Sequence, residues 1–320
     1  MRYIISFLVF VISFSSCSKN DKIDISHIKV NTELVRFDTL FYNIKNNGEL
    51  DNLKKIYPLM FSSESEDSVW MNKALSKKEQ NIYLKTSKTF GSFNKEYSEI
   101  VDVFKYTKYY FPNFSSPKVF TVLSNYDYRY AVLYTGEKLF VSLDMYLGKD
   151  EKDYKIFPKY MTNNMTRERI KVDVALAISE SLVELDKFDR SLLAQMIYNG
   201  KILYMSKKLL PSVSDELLIG YSKDQLDWCR INRGFIWEYM IKNKYIYSKD
   251  DRLYKRFIDV APFSKFYLDL DNETPGRVGV WLGWQIVNSY MKENNVSLQE
   301  LMKNEDANEI FRKSKYKPRK

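Results

Sequence analysis

Few side chains in this 320-residue sequence can do chemistry, and their types decide which reactions are open to it. There is one histidine, His27, and two cysteines, Cys17 and Cys229. Catalytic zinc takes three protein ligands, largely His with Asp or Glu. A single histidine cannot supply the helical H-x-x-x-H pair, so no metal and no cofactor is expected. A serine nucleophile needs a base within reach. Gly220-Tyr221-Ser222-Lys223-Asp224 has the outline of a nucleophile elbow. Asp224 stands where its second glycine belongs, and the surrounding sequence reads as helical rather than strand–turn–helix. Glu180, Glu184, Asp186 and Asp189 crowd one helix end, a pattern that suits a solvated charged face better than an acid–base pair. Asp269, Asp271 and Glu273 open like a calcium loop, but Thr274 replaces the sixth-position glycine and Val280 the closing glutamate. No phosphate-cradling or dinucleotide-binding glycine motif occurs.

Cys17 points to different chemistry. Met-Arg is followed by an apolar run over residues 3–14, then by Ser15 and Ser16 directly before Cys17. A short positive head, a short greasy core and small residues at a cut site make a secretory signal. With cysteine at the cut, this is similar to a bacterial lipoprotein signal, and Cys17 becomes the acylated first residue of the mature chain. A membrane span needs about 20 apolar residues, more than residues 3–14 supply. Residues 1–16 are thus read as a cleaved signal, 17–26 as a lipidated tether and 27–320 as one domain. Once Cys17 carries lipid, Cys229 has no partner in the chain and is read as a small buried hydrophobe.

Signal removal leaves about 300 residues, enough for a sizeable core. The 45% hydrophobic content excludes a disordered chain, and 25 Tyr and 20 Phe supply large rings for its interior. The net charge of +9 suits anionic headgroups or acidic envelope partners in an exported protein. Lys105-Tyr106-Thr107-Lys108-Tyr109-Tyr110 alternates basic and aromatic residues, as nucleic-acid binders do. At a helix end it is read as rings inward and lysines outward, and no nucleic-acid partner is expected.

The elements that must position these residues are legible by periodicity. Residues 28–37 suit an early strand, and 50–60, 69–90 and 94–111 have helical spacing. Strand patterns cover 118–124, 130–134 and 138–143, with Thr135-Gly136-Glu137 as a hairpin loop. Beyond Arg167 the chain reads as helical: 170–185, 191–210, 215–242 with a break near Gly234, 251–257, 276–291 and 297–311. Thr274 is expected to cap the helix at 276, with Pro275 in its first turn. That helix is apolar nearly all round, as a central buried helix is. Gly276, Gly279 and Gly283 leave it a smooth strip for the close approach of a neighbouring backbone. The fold class is α+β, mostly helical with a small N-terminal β-sheet.

Several of these segments resemble a known family. Pro275-Gly276-Arg277-Val278-Gly279-Val280-Trp281-Leu282-Gly283-Trp284-Gln285-Ile286-Val287 is similar to the signature of the GldB family, gliding-motility lipoproteins of the Bacteroidota. So are Ala261-Pro262-Phe263-Ser264-Lys265-Phe266-Tyr267 and residues 108–112, 143–150, 193–198 and 313–317. The resemblance implies an envelope lipoprotein required for gliding. It would work beside other gliding-motility lipoproteins and the type IX secretion and motility machinery, with its membrane contact through lipid. It also implies a wider relation to zincin-like metallopeptidases, whose active helix carries H-E-x-x-H. Alignment on residues 172–185 puts Ser179 and Val183 at the two histidine positions, Glu180 at the general base and Asn199 near the third ligand. Without metal nothing lowers the pKa of a water for Glu180 to use. The expectation is therefore a zincin-like scaffold lacking its metal site, not an enzyme, with Ser179 and Val183 as ordinary core positions.

Gly279, Trp281, Gly283 and Trp284 are read first as core and, alternatively, as a partner surface. Two other functions stay open: an envelope hydrolase using Glu180 and Asp144, and a lipoprotein that binds envelope polymer. Residues 18–22 lack the acidic run that sends some lipoproteins of this phylum to the cell exterior. The expected place is therefore the outer membrane, facing the periplasm.

Overall fold

A computed structural model describes residues 23–318, so the signal 1–16, Cys17 and the tether as far as Lys22 lie outside the described residues. The sheet is small and mixed. Its strands are β1 (Leu34–Val35), β2 (Lys118–Val122), β3 (Val132–Tyr134) and β4 (Lys138–Ser142), in the order β1-β2-β4-β3. β1 and β4 both run parallel to β2, with Phe120 beside Phe140, and β3 turns back antiparallel on β4. Gly136 makes the β3–β4 hairpin at φ 85°, a left-handed conformation that glycine adopts without penalty. The strand expected over 28–37 shrinks to β1. Phe37 and Phe41 stack one helical turn apart, which puts Phe37–Tyr42 in helix α1.

Helices α2 (Asn47–Ile56), α3 (Asp67–Leu75), α4 (Lys77–Phe90) and α5 (Asn94–Tyr110) follow α1. The single helix expected over 69–90 is two. Ser76 leaves helical geometry (ψ 130°), and its hydroxyl accepts from Glu79 N–H at 3.5 Å to start α4. After the sheet come α6 (Lys159–Thr162), α7 (Ile170–Leu182) and α8 (Leu192–Leu209). The stretch 215–242 is three helices, α9 (Asp215–Ile219), α10 (Lys223–Ile231) and α11 (Arg233–Lys242). Its breaks fall at left-handed Gly220 and at Asn232, and Gly234 sits inside α11. The remaining helices are α12 (Asp251–Phe257), α13 (Val278–Glu293), α14 (Leu298–Lys303) and α15 (Ala307–Ser314). The last two replace the one helix expected at 297–311, and Asp306 caps α15.

The start of α13 also differs from expectation. Thr274 does not cap it. Its hydroxyl donates to the Ser264 carbonyl at 2.9 Å and accepts from the Ser264 N–H at 3.0 Å, tying the preceding loop together. Arg277, at φ 62°, precedes the first turn.

α13 is the centre of the helical part. Val278, Gly279, Val280, Trp281, Leu282, Gly283 and Trp284 are all buried, and the helix packs on α8, α12 and α15. The glycine strip is filled by this chain itself. A Cβ on Gly283 would lie 1.8 Å from the Met196 carbonyl oxygen of α8, and one on Gly200 would lie 2.4 Å from Gly283. Gly279, Trp281, Gly283 and Trp284 therefore offer a partner no surface, and that alternative is corrected. α7 joins the two halves, packing on α5 and β3 and on α8.

Lys201 of α8 is 2% exposed, and its ammonium donates to the carbonyls of Glu184 at 3.1 Å and Asn304 at 2.8 Å. Burial pulls its pKa down to about 8. A depressed folded-state pKa adds stability above the unfolded value and loses it as pH falls through the folded value. Between pH 8 and 10.5 the unfolded chain therefore binds the extra proton, and stability rises with pH. Over that window Lys201 is expected to contribute a rise of about 3 kcal/mol. The measurement is the difference between urea midpoints of Lys201→Met and the natural chain at the two pH values. Tyrosine ionisation is common to both chains and cancels. A difference that does not change with pH refutes the assignment.

Candidate functional site

The residues aligned with a metal helix do not assemble one. Ser179 is fully buried between α7 and α8 and accepts the Ser206 hydroxyl at 2.9 Å. Glu180 is exposed and takes the Tyr198 hydroxyl at 3.2 Å. α7 ends at Leu182, and Val183 is already extended at ψ 120°. Val183 is thus the C-cap residue of α7, a partly buried hydrophobe packed against the core. Asn199 bonds back to the Gln195 carbonyl of its own helix at 2.8 Å. His27 is exposed near the N-terminal end. Among the described residues, no three His, Cys, Asp or Glu side chains gather where they could hold a metal ion.

The other carboxylates have structural partners. Asp186 accepts from Phe188 N–H at 2.8 Å and Asp189 from Ser191 N–H at 2.9 Å, which shapes the α7–α8 connection. Asp271 accepts from the N–H groups of Phe266, Tyr267 and Leu268. A loop whose backbone offers N–H donors to a carboxylate is the reverse of the oxygen cage calcium needs. Asp144, at the end of β4, is fully buried and accepts from the N–H groups of Ser124 at 3.0 Å and Tyr126 at 2.7 Å. Burial pushes its carboxyl above the usual range. Asp144 and Glu180 share no hydrogen-bond partner. Ser222 caps α10 in a reciprocal box with Gln225, so the elbow-like segment is a turn between two helices. Cys229 is buried, and burial pushes its thiol up, away from the reactive thiolate.

One cavity gathers polar side chains from distant parts of the chain. It measures about 380 Å³, and Lys149, Asn163, Ser222, Gln225, Ala261 and Arg277 are among its lining residues. Local sequence explains its shape. Gly276 lies so close to the loop before it that a Cβ would meet the Ala261 carbonyl oxygen at 2.0 Å. The Tyr221 hydroxyl donates to the Gly276 carbonyl, and Asn164 reaches the Gly220 carbonyl at 3.1 Å. Three of the segments that carried the family resemblance meet here, at Lys149, Ala261 and Gly276-Arg277. Sequence reading quoted those segments without singling out Lys149 or Arg277. Spacing carried no signal for them, because the fold alone brings them together.

Comparison with known families gives one result, a match of residues 18–318 to the family described as gliding motility protein GldB. The chain belongs to the GldB family. A role in gliding motility follows from that membership. No curated protein and no solved structure matches the chain. Among the described residues, no helix of this GldB-family chain is long and apolar enough to cross a membrane.

Proposed function

We propose that this chain is a lipid-anchored protein of the cell envelope that supports gliding through protein contacts rather than catalysis. The observation that carries the proposal is the family match across residues 18–318. In this reading Cys17 holds the lipid, 17–26 is the tether, and 27–320 folds as one GldB-like domain. The partners are other gliding-motility lipoproteins and components of the secretion and motor machinery. The chain faces the periplasm from the outer membrane. The relation to zincin-like metallopeptidases belongs to the same proposal: α7 would be the former metal helix, with Ser179 and Val183 in place of its histidines and Glu180 kept without a metal to serve.

Deletion of the gene is the test. Colony spreading and single-cell gliding are expected to stop and to return with a plasmid copy. A deletion strain that glides at normal speed overturns the proposal.

A further inference from the structure

The cavity between α6, the α9–α10 turn and the start of α13 has the charge balance of a binding site. Two cations line it, Lys149 and Arg277, and no carboxylate does. Lys149 is exposed and forms no ion pair among the described residues. Arg277 is partly buried and carries five N–H donors. Among the described residues its guanidinium makes one hydrogen bond, a long one, to the Ile219 carbonyl at 3.4 Å. The nearby acid is already used: Asp173 accepts Arg169 at 2.7 Å on one oxygen and the Tyr146 hydroxyl at 2.8 Å on the other. Arg169 itself turns to the carbonyls of Leu217 and Leu218. Asp173 is thus paired with Arg169, and Arg277 forms no ion pair among the described residues. Burial, with Arg169 beside it, pulls Arg277 below its ordinary pKa, as befits a cation short of counter-charge.

The backbone adds to the same potential. Ser222 caps the start of α10, and Arg277 precedes α13, so two helix N-termini border the cavity. Arg277 adopts φ 62° to take this place, a conformation uncommon for a residue with a Cβ and one that clusters at functional positions. Neutral hydrogen-bonding groups complete the lining. Asn163 and Tyr160 are among the lining residues, and Gln225 accepts from Ser222 N–H on its carbonyl oxygen at 2.9 Å, its NH₂ group making no hydrogen bond among the described residues. Val260 and Ala261 supply the apolar part. The volume stands at the lower end of small-ligand sites, roughly 300–1,000 Å³.

We propose that this cavity binds an anionic sugar of monosaccharide size, with its carboxylate or phosphate on Arg277 and Lys149 and its hydroxyls on Asn163, Gln225 and Tyr160. A planar guanidinium fork and a nearby ammonium suit either oxyanion. Amide and hydroxyl side chains are the partners that ring hydroxyls need. The proposal stands apart from the gliding role, which depends on partner contacts and not on this ligand.

The test is calorimetric titration of the detergent-solubilised full chain with glucuronate, glucose 6-phosphate, glucose and inorganic phosphate. At least one of the two sugar anions is expected to bind, more weakly at high salt, while glucose does not. Glucuronate alone identifies a carboxylate ligand, and glucose 6-phosphate alone a phosphate ligand. Lys149→Gln and Arg277→Lys are each expected to weaken binding about tenfold, the loss of one charge-assisted contact or of the paired fork. Lys149 is exposed, so Lys149→Gln keeps the fold and carries the test should Arg277→Lys unfold. The proposal is overturned if neither sugar anion binds, if glucose binds equally, or if Lys149→Gln leaves affinity unchanged. Inorganic phosphate binding as tightly as the sugar anions overturns the sugar assignment.

Discussion

Gly283→Ala is expected to destabilise the fold by more than about 3 kcal/mol, beyond the usual cost of overpacking a core. The new Cβ would stand 1.8 Å from the Met196 carbonyl oxygen and 2.4 Å from its carbon. Both are backbone atoms of α8, so no side chain can rotate away, and the two helices must separate. Separation would open the interface beneath Trp281, Trp284 and Met196, all buried, and close-packed interiors transmit such strain. A domain of ordinary stability has roughly 5–15 kcal/mol to lose. Gly136→Ala is the control. Gly136 has open space around it but φ of 85°, so alanine there costs only the left-handed backbone, about 1–2 kcal/mol. Urea unfolding followed by circular dichroism separates the two. Gly283→Ala within 1 kcal/mol of the natural chain would mean that α8 and α13 do not cross at Gly200 and Gly283.

Cys17→Ala is expected to release the protein from the membrane fraction, to abolish incorporation of labelled palmitate and to stop gliding. The size of the effect follows from what remains. The apolar run at 3–14 is shorter than the ~20 residues of a span, and no described helix can cross a bilayer. In the proposed reading, lipid on Cys17 is the attachment on which the protein depends. From Cys17 to Ile23, the first described residue, the chain reaches at most about 20 Å. A lipid on Cys17 would therefore keep the fold close to the membrane surface. Fractionation with and without the substitution reads the result. A Cys17→Ala protein that stays membrane-bound and supports gliding refutes the anchor.

How much of this was legible in the sequence depends on whether the signal was local. The hairpin at Gly136, the helix α12 at Asp251–Phe257 and α5, which ends beside Pro112, follow from turn chemistry and from periodicity running into a stop. The close approach at Gly283 was readable too, because a glycine strip on an apolar helix leaves room for a backbone. The helix break at Ser76 was not, and the break expected near Gly234 falls two residues earlier, at Asn232. Neither residue interrupts the apolar period, and the breaks are set by a cap and by the packing of the segments around them. The beginning of α13 was misplaced because Thr274 and Pro275 form a good local cap, while Arg277 adopts its left-handed conformation in a tertiary setting. The same contrast holds for the sites. Position 183 reads as one turn further along the helix from 179, and α7 ends there, with Val183 as its C-cap residue. Lys149, Ser222, Ala261 and Arg277 carry no shared spacing at all, and only the folded chain makes them neighbours.

Gliding of a deletion strain that carries Glu180→Gln tests contact against catalysis most directly. Glu180 is exposed and holds only the Tyr198 hydroxyl, which glutamine can also accept, so the substitution removes a base and leaves the fold. Wild-type speed and full colony spreading, at normal protein levels, are the result expected of a protein that works by contact. Immobile cells with the folded Glu180→Gln protein in place would contradict it and make Glu180 a working carboxylate.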